Sequence, residues 1–135
     1  MEITIAIIKP EAVKAGHTEK IIECIQAHGF SIKRQKNMQL SINQSQALYK
    51  SYENREWFNS VTEYMASGPL VALILEKENA ISEWRVLLGK SNPSEWGILR
   101  KMFGTSYQYN ALHGSASTEE VTQEISLLFS ADEEK

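Results

Sequence analysis

The sequence predicts an α+β sandwich in which a four-stranded antiparallel sheet is covered by helices. Three observations carry this. The chain opens with Ile3, Ile5 and Ile7 alternating with Thr4, Ala6 and Ile8, as in a strand. Leu70-Val71-Ala72-Leu73-Ile74-Leu75 is continuously apolar but too short for a helix, which fits a central strand covered on both faces. Segments of helical periodicity separate and follow these runs.

The first strand stops at Lys9-Pro10, because proline cannot donate to a sheet ladder. From Thr18 to His28, Ile21, Ile22 and Ile25 share one helical face, and Gly29 stands where a left-handed cap is usual. Phe30, Ile32, Met38 and Leu40 bracket the polar stretch from Lys33 to Asn37, which suits a partly exposed strand. Asn43 to Tyr52 and Phe58 to Ala66 read as short helices, and Ser67-Gly68-Pro69 is a stop. After the central strand a helix from Ala80 to Leu88 ends at Gly89. Ser91 to Tyr109, punctuated by Pro93, Gly97 and Gly104, reads as a long irregular region of the kind that often carries function. A short strand at 110–115 follows, and Ser117-Thr118-Glu119-Glu120 has capping-box spacing, opening a helix with Val121, Ile125 and Leu128 inward. The order is that of the split βαβ, ferredoxin-like arrangement.

With 135 residues and 42% apolar content the chain supports one core, expected over residues 1–130, and Ala131 to Lys135 reads as a flexible acidic tail. A formal charge of -3 argues against nucleic acid as a partner, so a phosphorylated ligand needs a local cluster of basic groups. The apolar runs are too short to cross a membrane, and Met1 leads straight into a strand pattern rather than a signal peptide. A cytoplasmic setting is expected. The lone Cys24 excludes an intrachain disulfide and reads as an apolar filler among Ile21, Ile22 and Ile25. His17 and His28 flank the first long helix and read as structural or solvent-facing, and no His or Cys pair has metal-ligand spacing.

Asn110-Ala111-Leu112-His113-Gly114-Ser115 places an amide, an imidazole and a hydroxyl together. If the segment is extended, His113 and Ser115 share a face. Glu124, on the helix that follows, could return to the imidazole, and a carboxylate that fixes a histidine tautomer is what a nucleophilic or basic imidazole requires. A structural histidine satisfied by a carbonyl is an equal reading of this segment alone. Lys9, Arg85 and Arg100 are scattered cations that could hold phosphate without a Walker A loop, which is absent.

Four segments in order, Ile7-Ile8-Lys9-Pro10-Glu11-Ala12-Val13, Tyr64-Met65-Ala66-Ser67-Gly68-Pro69, Leu88-Gly89-Lys90-Ser91-Asn92-Pro93 and Asn110 to Ser115, resemble the nucleoside diphosphate kinase family from Ile3 to Phe129. The resemblance implies a ping-pong phosphotransferase that moves the γ-phosphoryl group of a nucleoside triphosphate to a diphosphate. It implies that His113 is the phosphorylated nucleophile, oriented by Glu124 with Ser115. Lys9, Tyr49 and Asn110 match the positions that hold the sugar hydroxyls and the transferring phosphate. Arg85, Ser91 and Arg100 match those that grip the other phosphates, and Trp57 and Tyr107 those that clamp the base. It further implies Mg²⁺ carried by the nucleotide and a homo-oligomer built from dimers.

The chain departs from the family pattern at Ala116, where aspartate is usual, and in a shorter Asn92 to Arg100 segment carrying Trp96-Gly97-Ile98-Leu99. It also ends soon after Phe129, without the longer tail some members use in assembly. These departures leave open a second reading, a catalytically weakened nucleotide-binding or assembly module. Retention of Lys9, Tyr49, Arg85, Arg100, Asn110, His113, Ser115 and Glu124 together favours the active enzyme.

Overall fold

A computed structural model describes residues 1–90, 92–106 and 109–129. Its elements in order are β1 (Glu2–Ile8), α1 (Pro10–Lys14), α2 (Thr18–Ala27), β2 (Ser31–Met38), α3 (Ile42–Leu48), α4 (Phe58–Met65), β3 (Leu70–Lys77), α5 (Ala80–Leu88), α6 (Ile98–Phe103), β4 (Leu112–Gly114) and α7 (Thr118–Leu128), with single 3₁₀ turns at Lys50–Tyr52 and Pro93–Glu95. The strands form one sheet in the order β2-β3-β1-β4, every neighbour antiparallel. This is the ferredoxin-like sandwich expected from the pattern.

The two central strands separate two cores. Ala6 and Ile8 of β1 join Val71, Leu73 and Leu75 of β3 and the apolar faces of α2, α5 and α6. Ile5 and Ile7 face the other way with Leu70, Ala72 and Ile74, against α3, α4 and α7. Period-two alternation therefore sends successive isoleucines into opposite cores, which is why neither central strand shows a polar face. β2 lies at the sheet edge, and its side chains alternate between exposed and half-buried. That leaves one face to solvent and explains its weak apolar signature.

Local chemistry sets the helix ends. Ser41 and Gln44 form a reciprocal capping box at α3. At α7 the Ser117 hydroxyl accepts from the Glu120 amide, but the Glu120 carboxylate reaches one residue further back, accepting from the Ala116 amide at 3.1 Å. Gly29 closes α2 with φ +90°, as its position predicts. Cys24 is half-buried beside the first core. His17 precedes α2 and packs on the Phe103 ring at 5.1 Å, and the His28 imidazole lies 2.7 Å from the Cys24 carbonyl, so both have structural partners.

Two expectations need correction. Pro10 does more than end β1: its fixed φ starts α1 at the first helical position. The stretch expected to be irregular contains α6, whose Leu99 and Phe103, four residues apart, bury one face in the core. The acidic tail lies outside the described residues. Among the described residues no helix is long and apolar enough to cross a membrane.

Candidate active site

β4 pairs with β1 so that His113 lies opposite Ile7 and Gly114 opposite Ala6. His113 therefore points into the layer of α3 and α7, and Gly114 into the layer of α5. The Trp84 indole fills the space beneath Gly114: a Cβ there would stand 2.7 Å from the indole Cδ1 and Nε1. Trp84 is fully buried, so only glycine lets β4 settle at this depth.

On the other face α7 delivers Glu124, which is buried. Its Oε1 accepts a 2.7 Å hydrogen bond from the Ser115 hydroxyl, and its Oε2 lies 3.3 Å from His113 Nε2. Both expected partners of the carboxylate are thus on it at once. The Tyr49 ring meets the His113 ring edge-on at a centroid distance of 5.9 Å. Burial, and after it the charge of Glu124, raises the Tyr49 phenol well above its ordinary range, so it stays protonated.

The two arginines are held by backbone carbonyls rather than by acids. Arg100 is buried on α6 and donates to the Gly89 carbonyl at 3.0 Å and the Leu112 carbonyl at 2.8 Å, while its Nε has no hydrogen-bond partner among the described residues. Burial, and then the neighbouring Arg85, lowers its pKa to about 10, and it remains charged. Arg85, exposed on α5, reaches toward the Gly114 carbonyl at 3.5 Å. Lys9 is buried at the end of β1. Burial first, and Arg100 second, lower its pKa to about 7 against a smaller opposing effect of Glu11. A desolvated amine beside a guanidinium group calls for an anion.

These groups face one cleft of about 1320 Å³. Lys9, Tyr49, Trp57, Arg85, Arg100, Asn110, His113 and Glu124 all line it, and Ser115 lies fully buried behind Glu124. Ser91 and Tyr107 lie outside the described residues. The liners that the sequence reading did not assign include Lys50, Tyr52, Arg55 and Lys90. The available signal was spacing, since Tyr52 follows Tyr49 by one turn and Arg55 by two. With them, six basic side chains among the described residues line the cleft with two carboxylates, Glu120 and Glu124, while Lys50 pairs with Glu53 at 2.7 Å and Lys90 with Glu95 at 3.3 Å. A chain of formal charge -3 has concentrated its positive charge here.

After α5, Gly89 and Lys90 pair back with residues 95–97. Gly89 bridges to Trp96, the Gly97 amide donates to the Leu88 carbonyl at 2.8 Å, and the Lys90 amide donates to the Glu95 carbonyl at 3.1 Å. A Cβ on Gly97 would fall 2.1 Å from the Leu87 carbonyl oxygen, so the glycine permits the close approach. This return brings α6, and with it Arg100, to the cleft. Ala116 stands outside the carboxylate cluster, and its side chain is not needed for the Ser115–Glu124–His113 contacts.

The family model described as nucleoside diphosphate kinase matches residues 2–134. A nucleoside diphosphate kinase of Geobacter sp. (strain M21) is 43% identical over 131 residues, covering 96% of each chain. One from Geobacter sulfurreducens is 41% identical over 132 residues, again covering 96% of each. Among solved structures, nucleoside diphosphate kinase from Encephalitozoon cuniculi superposes with a TM-score of 0.92 at 29% identity, covering 98% of this chain and 91% of that one. The enzyme of Aquifex aeolicus superposes with a TM-score of 0.89 at 33% identity, covering 98% and 97%.

Proposed function

The chain belongs to the nucleoside diphosphate kinase family and is a phosphotransferase, and we propose that it moves the γ-phosphoryl group between nucleotides through a phosphohistidine at His113. The observation that carries this assignment is the pairing of His113 with a buried carboxylate at 3.3 Å, at the wall of a cleft rich in basic side chains. The Nε2–H of His113 donates a hydrogen bond to the ionised Glu124 carboxylate, a tautomer that leaves the Nδ1 lone pair free to attack the γ-phosphorus. The bond to the bridging oxygen breaks as the new P–N bond forms, and the nucleoside diphosphate leaves with that electron pair. A second diphosphate then attacks the phosphohistidine by the reverse path. Ser115 holds Glu124 in place throughout, so the imidazolium formed in the intermediate keeps a fixed counter-charge.

Lys9 and Tyr49 serve the transferring phosphoryl group and Asn110 assists them, with Arg85, Arg100 and Ser91 on the remaining phosphates. Preorganised donors of this kind act where charge moves between oxygens. Trp57 and Tyr107 take the base by its faces, which tolerates any base. The cleft wall is dominated by cations, and among the described residues no group of three His, Cys, Asp or Glu side chains converges. That donor set fits a Mg²⁺ ion ligated by the nucleotide's own phosphates, where it would neutralise their charge. One domain over residues 1–130, a cytoplasmic setting and an assembly of at least dimers complete the reading. The single-chain mass in light scattering would contradict the last of these.

The test is incubation with γ-labelled ATP. Wild-type protein should acquire an acid-labile phosphoryl group and hand it to a second diphosphate, and His113→Ala should do neither while remaining folded. Full exchange in that variant would remove the assignment.

A further inference from the structure

Two side chains outside the cleft converge on the turn that delivers Asn110 and His113. Glu11 is the second residue of α1, and its amide donates to the Tyr64 hydroxyl oxygen at 3.2 Å. The Tyr64 hydroxyl in turn donates to Glu11 Oε1. From α4, the Tyr64 ring also meets the Tyr109 ring edge to face at 4.7 Å. Tyr109 leads directly into the turn.

That turn is strained. Ala111 is fully buried with φ +75°, in the left-handed region that residues with a Cβ rarely occupy. Such a conformation persists only where the surroundings over-determine it. Here the segment after β1 does so. The Lys9 amide donates to the Ala111 carbonyl at 2.8 Å, and the Ala111 amide lies close enough to the Glu11 carboxyl to favour its charged form. The carbonyl of the strained residue is therefore held by Lys9, its amide acts on the Glu11 carboxyl, and Tyr64 ties Glu11 to α4. Burial pushes the Glu11 carboxyl up, and the Tyr64 hydroxyl is the largest influence opposing that shift.

Asn110 and His113 line the cleft on either side of this turn, while Glu11 and Tyr64 do not line it. We propose that Glu11 and Tyr64 form a brace that holds the Ala111 turn in its left-handed form and so sets the position of His113 for in-line attack. Both are positioning residues, and neither touches the nucleotide. The inference rests on the assignment of His113 as nucleophile. A displacement of a fraction of an ångström at the turn would move the imidazole relative to the phosphorus, and reaction rates respond steeply to such errors.

The experiment measures single-turnover phosphorylation of the enzyme by ATP, ADP affinity and melting temperature for Tyr64→Phe, Glu11→Ala and Glu11→Gln, with His113→Ala as control. Tyr64→Phe keeps the ring on Tyr109 and loses only the hydroxyl, so it reports on the brace even if Glu11→Ala folds poorly. Tyr64→Phe and Glu11→Ala should slow phosphorylation by about tenfold or more, with ADP affinity held within about twofold. Glu11→Gln, which keeps an acceptor oxygen, should fall between wild type and Glu11→Ala. Wild-type rates with lowered melting temperatures would reduce the pair to a fold contact and overturn the brace. Parallel losses of rate and affinity would overturn it as well, since they mean general distortion of the cleft. Phosphorylation of His113→Ala would remove the nucleophile assignment and this inference with it. Full rates in the brace variants beside an inert His113→Ala would remove this inference alone.

Discussion

Ser115 and His113 divide the Glu124 carboxylate between them, the hydroxyl on Oε1 at 2.7 Å and the imidazole on Oε2 at 3.3 Å. The shorter bond is buried and charge-assisted, so it is the one that fixes the carboxylate, and the histidine then reads its orientation from that plane. Ser115→Ala should therefore lower stability by about 1–3 kcal/mol and slow histidine phosphorylation by roughly tenfold. Glu124→Ala should slow phosphorylation further, because it removes the counter-charge itself. Denaturant melts and single-turnover labelling check both variants, and a Ser115→Ala enzyme with the wild-type rate would show that His113 needs no help from the hydroxyl.

Lys9 gives a pH prediction. Its pKa of about 7 means that at pH 8 the amine is mostly neutral. A polyphosphate beside it favours the charged form, so nucleotide binding at pH 8 must draw in a proton, approaching roughly one per site. The sign follows: affinity should fall as pH rises above 7, since the cost of that protonation grows with each step. Titration calorimetry of ADP in two buffers of different ionisation enthalpy measures the uptake. Lys9→Arg, always charged, should bind ADP with little uptake. Proton release on binding to the wild type would contradict the account.

Gly114→Ala tests the support beneath the nucleophile. The added methyl would meet Trp84 at 2.7 Å and Leu88 at 3.0 Å, and Trp84 is fully enclosed. Overpacking of this kind costs about 1–3 kcal/mol. β4 should lift away from α5 and carry His113 with it, so activity should fall more than the stability loss alone would explain at a temperature where the protein is folded. An active variant with an unchanged melting temperature would mean that the indole can move aside.

How far the sequence could be read depended on how local each signal was. β3 declared itself by six consecutive apolar residues and β1 by its alternating isoleucines, and His113, Ser115 and Glu124 lie close in the chain, on β4, just after it and on the next helix. α6 escaped because its buried face is only Leu99, Arg100 and Phe103, between glycines that read as loop punctuation. The carbonyl cradle of Arg100 draws on Gly89 and Leu112, far from it in the chain, and no local pattern announces such a site. The left-handed Ala111 carried no signal either, because alanine gives no hint of a positive φ. Trp57 and Tyr52 share the same cleft for a tertiary reason, the turn between α3 and α4, which spacing alone described incompletely.

That aromatic pair supports the last prediction. Trp57 is 39% exposed and Tyr52 43%, their rings tilted at a centroid distance of 5.3 Å, and Trp57 belongs to neither apolar core, so part of the indole stays open. An aromatic surface left open at a phosphate-binding cleft can stack a base, and stacking contributes about 1–3 kcal/mol per base whatever the base is. Trp57→Ala should weaken ADP, GDP and CDP by a similar factor, on the order of 5- to 150-fold, and should leave tripolyphosphate affinity unchanged. Melting temperature should move less than for a core tryptophan, because Trp57 belongs to neither apolar core and keeps 39% of its surface open. If the indole were instead a packing residue of the α4 entry, the variant would melt lower and bind all three nucleotides as wild type does. If one base alone lost affinity, Trp57 would be reading an edge rather than a face, and the expected tolerance for bases would not hold.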